Sequence, residues 1–399
     1  MAPAIAAFDP LALPPVPPPA PDRHPWRDRA LLLLIALALA LPGLALVSTG
    51  SRTTTRFENR PTAPWPQAIG TGFTAAFERA FADRFGGRDE LIALHHLTLA
   101  AAFQVSPIDK VVVGRRGWLF YADEGGVSFK RRQLPPDARA DAEARAIAAG
   151  IEQRIRFLTL RGVRYLLVIA PDKQTIYPEN LPAPYRRLPE RSRIDALLAV
   201  ASPEVKAHVL DLRGPLLQAK QRRQVYFSSD SHWNHSGGWV ASREILAALR
   251  RMSGLPELPE EPLPSSREDG AVSGDLVKML GVPGVFGERQ IGLVMPPTWA
   301  DCARGDTGAP PVWGAPSQLL RCPTAAVGKV AIYHDSMGIM LASLLPHGLQ
   351  ASQWAQVRPW DLGRLAAFGP DIVVDEIVER NLPQLADTGF LGSAAAAAT

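Results

Sequence analysis

Three polar side chains, distant along the chain, have the types that acyl chemistry needs. Asp230 and His232 stand in VYFSSDSHWNHSGG, and Ser336 stands in HDSMG. A serine hydroxyl is a weak nucleophile until an adjacent base, most often histidine, takes its proton. A carboxylate beside that histidine holds the imidazole in the working tautomer and stabilises its charged form. Alternate residues of an extended segment point the same way, so D-x-H is expected to place Asp230 and His232 on one face. Ser336 falls where an apolar run gives way to a helical pattern. Its amide and that of Met337 are therefore expected at a helix N-terminus, where they would stabilise a developing oxyanion. Each motif alone has a simpler reading. Ser336 or Asp335 could be an N-cap and nothing more, and Asp230 with His232 could be a metal pair or a surface turn. His235 could add a ligand, but no further cluster follows, so neither a metal nor a cofactor is expected. The combined expectation is spatial: residues 230, 232 and 336 meet within hydrogen-bonding reach.

An α/β layered fold with a mostly parallel sheet would bring them together. The runs RYLLVIA (164–170), HVLDL (208–212), KVAIYH (329–334) and DIVVDEI (371–377) are nearly all apolar, as strands buried on both faces are. Helical periodicity over 138–160, 190–201, 237–252, 336–345 and 361–368 alternates with them. Ligands of such sheets bind beyond the carboxyl ends of the strands. There the sequence places Lys173, then Asp230 and His232 after the short extended piece 225–229, then Ser336, then Arg380. Lys173 and Arg380 are candidates for holding substrate or supporting the oxyanion, or else form structural ion pairs. Trp233 and Trp239 could stack on sugar rings or pack in the core. Tyr177, in the same post-strand segment as Lys173, is grouped with Lys173, Arg380 and Trp233 as a substrate-binding candidate. Trp118 and Tyr121 read as core, and His334 could line the site or be buried.

Length and composition, 399 residues with 47% hydrophobic and 21% charged, suit a chain with a full core. The formal net charge is only +4, and no Arg/Lys stripe interleaved with aromatics appears, so nucleic acid is not an expected partner. Ala30 to Val47 is an uncharged apolar run that as helix would measure about 27 Å, enough to cross a hydrocarbon core. Arg23, Arg27 and Arg29 precede it, so the N-terminus is expected to stay inside and the bulk to be exported. A signal anchor is favoured over a cleaved signal, because both the leader and the apolar run are long. The expected order is a Pro-rich cytoplasmic tail (1–29), a transmembrane segment (30–47), a linker with a helical lead-in (48–109), a catalytic domain (110–385) and a tail (386–399). Residues 68–103 read as helical, and 114–125 as an aromatic strand flanked by turns. Residues 254–325, rich in Pro, Gly and Ser, read as a surface insertion. It holds the only two cysteines, Cys302 and Cys322, a plausible disulfide in an oxidising compartment.

The stretches GRRGWLFYADEG, LLVIAPDKQTIYPENLP, VYFSSDSHWNHSGG, HDSMG and PDIVVDEIVERNL occur in an order that resembles the SGNH-hydrolase-like domain of the alginate O-acetyltransferases AlgJ and AlgX. The resemblance covers roughly residues 110–385. It implies an SGNH-like α/β fold and a polysaccharide O-acetyltransferase, with Asp230, His232 and Ser336 as acid, base and nucleophile. It also implies a membrane-anchored, periplasm-facing enzyme served by a membrane-bound O-acyltransferase, with a polysaccharide as acceptor. One departure stands out: His334 occupies a place where the family commonly has glycine. A carbohydrate esterase with the same triad, or a non-catalytic polysaccharide-binding scaffold, remain alternative readings.

Overall fold

A computed structural model describes residues 25–49, 61–122, 138–186, 191–258, 264, 266–282, 286–294, 318–356 and 359–391. The strands are β1 (Val111–Val113), β2 (Leu119–Tyr121), β3 (Arg164–Ala170), β4 (Val209–Asp211), β5 (Ser266–Val272), β6 (Glu288–Leu293), β7 (Gln318–Arg321), β8 (Val327–Tyr333), β9 (Leu349–Ala355) and β10 (Ile372–Val378). Six of them form one sheet in the order β4-β3-β10-β8-β9-β7. All neighbours run parallel except β7, which lies antiparallel to β9 at the edge. The expected mostly parallel α/β sheet is therefore present.

Its centre forms where the sequence is apolar without alternation. Leu166, Val168 and Ala170 of β3 enter one core with Trp233, Ile245 and Leu249. Tyr165, Leu167 and Ile169 enter the other, with Ile147, Ile151, Ile155 and Leu158 of the helix Ala138–Thr159. Both faces of the strand are thus spent on packing, at about 1.5–3 kcal/mol for each large side chain fully buried. The helix His235–Met252 covers the first face, with Trp239, Ala241, Ile245, Ala248 and Leu249 along its buried stripe. Its cap is Asn234, whose side chain accepts from the Gly237 amide at 3.1 Å.

The strand expectations at 164–170, 208–212, 329–334 and 371–377 fall on β3, β4, β8 and β10. Two expectations are corrected, at 336–345 and at 254–325. The segment 336–345 holds only a short helix, Gly338–Leu341, before a 3-10 turn at Leu345–Gly348. The lead-in 68–103 is helical as expected, in three pieces: Phe73–Arg84, Arg88–Leu97 and a π-helical turn at Thr98–Ala102. The insertion 254–325 is no plain surface loop: it contains the antiparallel hairpin β5/β6 and the helix Asp275–Leu280. That helix buries Leu276, Val277 and Leu280 against Val111, Val113 and Leu119. Cys322 is disulfide-bonded, while Cys302 lies outside the described residues, as do the tail before residue 25 and residues 392–399. Separately, among the described residues no helix is long and apolar enough to cross a membrane. The helix Pro25–Thr49 contains the apolar run, with the side chains at 39 and 41–49 outside the described set.

Candidate active site

The parallel register sets the rim. Val378 of β10 lies beside Ala170 of β3, and Asp375 beside Tyr333 of β8. The three chains leaving these strands are then stitched together by polar contacts. The Val378 amide donates to Asp335 Oδ2 at 2.6 Å, and the Asp172 amide to Glu379 Oε2 at 3.2 Å. Thr175 Oγ1 donates to the same Glu379 oxygen at 2.7 Å. Arg380 Nη1 donates to Asp172 Oδ1 at 2.7 Å, so Arg380 is held as an ion pair rather than presented to a ligand. Burial alone would lower its pKa, but the Asp172 and Asp335 charges raise it.

Asp230 and His232 sit in a tight loop between two paired residues, Tyr226 and Trp233. They share a face, though not because the segment is extended. Asp230 Oδ1 accepts from the His232 amide at 3.0 Å, the geometry of an Asx turn, and from His232 Nδ1 at 2.6 Å. A carboxylate there assigns the proton to Nδ1 and leaves the lone pair on Nε2, as a general base requires. Burial would raise the Asp230 pKa. The hydrogen bond and charge of His232, with the Asp275 and His232 amides, overcome that and hold it well below the usual carboxylate range.

Nearly every backbone polar group of this loop is accounted for. Lys173 Nζ donates to the carbonyls of Phe227, Ser228 and Asp230 at 3.0, 3.1 and 2.6 Å. The expectation that Lys173 holds substrate is corrected: its three donors are spent on the loop that carries Asp230 and His232. Burial pulls its pKa down to about 7, against the charges of Asp230, Asp275 and Glu288. From the hairpin, Glu288 accepts from the amides of Ser228 and Ser229, each at 2.8 Å, and from Ser229 Oγ at 2.6 Å. Asp275 accepts from the Ser231 amide at 2.7 Å and from its hydroxyl at 2.5 Å. The Asp275 amide in turn donates to Asp230 Oδ2 at 2.9 Å. Asp275 and Glu288 went unnoticed in the sequence, because nothing in an irregular segment marks which carboxylate will fold back onto a distant loop.

Ser336 lies in the turn that follows β8 and is partly exposed. The helices following His232 and Ser336 meet closely, since a Cβ placed on Gly238 would fall 2.7 Å from Met340 Sδ. Ser336 Oγ itself makes no hydrogen bond among the described residues, so the expected bond to His232 is not closed here; catalytic bonds of this kind often tighten only with substrate. The Met337 amide does not point outward as expected. It donates to Asp335 Oδ1 at 2.9 Å, and the helix it precedes has only four residues. His334 is buried, with Nδ1 2.7 Å from the Asp335 carbonyl and its ring edge-on to Trp354. It fits because residue 338 is glycine: a Cβ there would lie 2.4 Å from His334 Cβ.

Two sugar-binding expectations are also corrected. Trp233 is fully buried and Tyr177 nearly so, both inside the core under the rim. Tyr177 stacks on Trp118 with centroids 4.3 Å apart and accepts the Val225 amide on its hydroxyl. Neither ring has a face to offer. Asp230, His232 and Asp275 present ligand atoms within 4.8 Å of one another, a spacing a metal ion would accept. Yet N–H and O–H donors already occupy both oxygens of each carboxylate, which suits a hydrogen-bonded relay better than a cation. His235 is not part of the cluster; its ring lies edge-on to Phe227.

The mixed, mostly parallel α/β sheet is that of an SGNH-hydrolase-like fold. The fold is similar to that of PatB1 of Bacillus cereus, with TM-score 0.52 at 13% identity, over 69% of this chain and 97% of that one. Residues 111–291 match the family described as "SGNH hydrolase-like domain, acetyltransferase AlgX". Proteins named "Probable alginate O-acetylase AlgJ" are also similar. That of Pseudomonas syringae is 26% identical over 64% of this chain, and that of Azotobacter vinelandii 30% identical over 47%. The chain spans 61% and 45% of the length of these two relatives. The chain is thus similar, over part of its length, to the SGNH-like acetyltransferases AlgJ and AlgX.

Proposed function

We propose that this protein is a polysaccharide O-acetyltransferase that works through an acetyl-serine, with Ser336 as nucleophile, His232 as base and Asp230 as its orienting acid. The observation that supports the reading is the 2.6 Å bond between Asp230 and His232 Nδ1, with Ser336 in the turn that follows β8. In the first half-reaction Ser336 Oγ attacks the acetyl carbonyl of a donor while His232 Nε2 takes the hydroxyl proton. The bond to the donor's leaving group breaks, and that group receives the proton. In the second, a sugar hydroxyl attacks the acetyl-serine and gives its proton to His232, and Ser336 regains a hydrogen as the acetyl ester departs. Asp230, ionised throughout, stabilises the imidazolium in each half.

The relatives' names favour alginate or a similar exopolysaccharide as acceptor. The apolar run inside the helix Pro25–Thr49, preceded by arginines, favours a single-pass inner-membrane anchor with the catalytic domain in the periplasm. A membrane-bound O-acyltransferase is the natural acetyl source for an enzyme so placed, because acetyl donors are made on the other side of the membrane.

The test is turnover of a chromogenic acetyl ester by the detergent-solubilised chain, with and without an oligosaccharide panel, beside Ser336→Ala. Acetylated sugar is the expected product. Loss of a serine nucleophile should lower kcat by at least about 10⁴-fold. Ester turnover that no sugar diverts would make the protein an esterase, and full activity in Ser336→Ala would end the triad reading.

A further inference from the structure

The proposed triad uses one carboxylate, but the imidazole has two beside it. Asp275 Oδ2 lies 3.6 Å from His232 Nδ1, and Asp230 Oδ1 at 2.6 Å. Asp275 is also bonded to both neighbours of that contact. Its carboxylate takes the amide and hydroxyl of Ser231, and its own amide binds Asp230 Oδ2 at 2.9 Å. Moving Asp275 would therefore shift the acid, the base and the residue between them.

Its placement is fixed by packing, not by chance proximity of loops. Asp275 opens a short helix whose Leu276, Val277 and Leu280 are completely buried. The preceding Gly274 presses so closely on the loop that a Cβ there would fall 2.2 Å from the Ser229 carbonyl oxygen. On the same hairpin, Glu288 fixes the amides of Ser228 and Ser229. The insertion thereby grips the outer run of the loop while Lys173 grips its carbonyls.

We infer that Asp275 is a positioning residue for the reacting pair, a second carboxylate that aims His232 and shares the positive charge it acquires. The inference rests on the acyl-transfer reading above. Opposite charges a few ångströms apart in a half-buried site attract appreciably, so the second carboxylate changes how readily the imidazole holds a proton. A scaffold residue would change folding and little else.

The experiment compares Asp275→Asn with wild type and Ser336→Ala, all as full chains in detergent micelles, using a chromogenic acetyl ester across pH. Asp275→Asn is expected to lower kcat about 10- to 100-fold at constant KM, as small misplacements of a reacting group do. The low-pH limb of its kcat should also move to lower pH, because the imidazolium loses a neighbouring negative charge. Asp275→Glu, which keeps the charge, should move that limb back toward wild type. An inactive Ser336→Ala beside an Asp275→Asn with wild-type kcat and pH profile would overturn this inference alone. An active Ser336→Ala would remove the triad and the inference together. If Asp275→Asn fails to fold, Ser231→Ala removes the hydroxyl that Asp275 holds. It should displace the limb with about a 10-fold loss of kcat, the size of one lost hydrogen bond to a charged group; an unmoved profile overturns the inference.

Discussion

The central strands β3, β8 and β10 and the hairpin region 266–293 meet at the same loop but serve it differently. The strands are apolar along their length, hold one another by parallel pairing, and deliver Lys173, Ser336 and Arg380 at their ends. The hairpin region contributes no strand to the main sheet. It contributes carboxylates, Asp275 and Glu288, that accept five N–H and O–H groups of Ser228, Ser229 and Ser231 between them. The contrast teaches that the sheet decides where the reacting groups stand, while a peripheral segment decides how they are turned.

The sharpest way to break the comparison is to damage chemistry without touching either support. Asp230→Asn keeps the Asx geometry but allows the wrong imidazole tautomer, so kcat should fall about 10⁴-fold with the melting temperature little changed. Steady-state kinetics beside thermal unfolding checks this. A loss under tenfold would mean that the loop, not the carboxylate, orients His232.

The sheet's own grip is tested at Lys173. Lys173→Met leaves three carbonyls without their ammonium, and misaiming the loop should lower kcat about 100-fold. It should also change the pH dependence of stability. The folded pKa is about 7, below the ordinary 10.5, so between these values the unfolded chain binds more protons than the native one. Lys173 therefore adds stability as pH rises through that window. Urea unfolding at neutral and mildly alkaline pH should show this rise in wild type and a flatter profile in Lys173→Met. Identical slopes would mean that Lys173 titrates alike in both states. At the acid end Asp230 acts in the usual carboxylate direction: its contribution is present above about pH 4 and is lost as pH falls below it.

The smallest effect is expected from the hairpin's contact glycine. Gly274→Ala forces a methyl toward the Ser229 carbonyl. Overpacking of this kind costs about 1–3 kcal/mol, and the displaced Asp275 should lower kcat about 10-fold. Comparing the kcat loss with the urea midpoint separates the two. A stability loss with unchanged kcat would reduce the hairpin to scaffolding.

How much of this was legible depended on whether a segment's neighbours are written in its own pattern. β3 and β10 were readable because a strand covered on both faces must be apolar throughout. β9 was not: LQASQWA has an exposed Gln350 and half-buried Ala351 and Gln353, so it resembles a loop until β7 and β8 flank it. The pairing of Asp230 with His232 was foreseen, but from strand alternation, whereas an Asx turn produces it. Trp233 and Tyr177 were candidates for sugar contact because aromatic residues beside a site look alike in sequence whether they face solvent or core.

By itself the sequence determined the chemistry on offer and the layered architecture. Residue types set what can donate, accept or attack, and unbroken apolar runs admit few arrangements other than a buried parallel sheet. Only the tertiary structure decided which groups are already engaged: Lys173 with carbonyls, Arg380 with Asp172, the Met337 amide with Asp335, and Asp275 beside the imidazole. Hydrogen bonds reach only about 3 Å, so partners separated by dozens of residues are settled by how the chain closes on itself and leave no local mark in the letters.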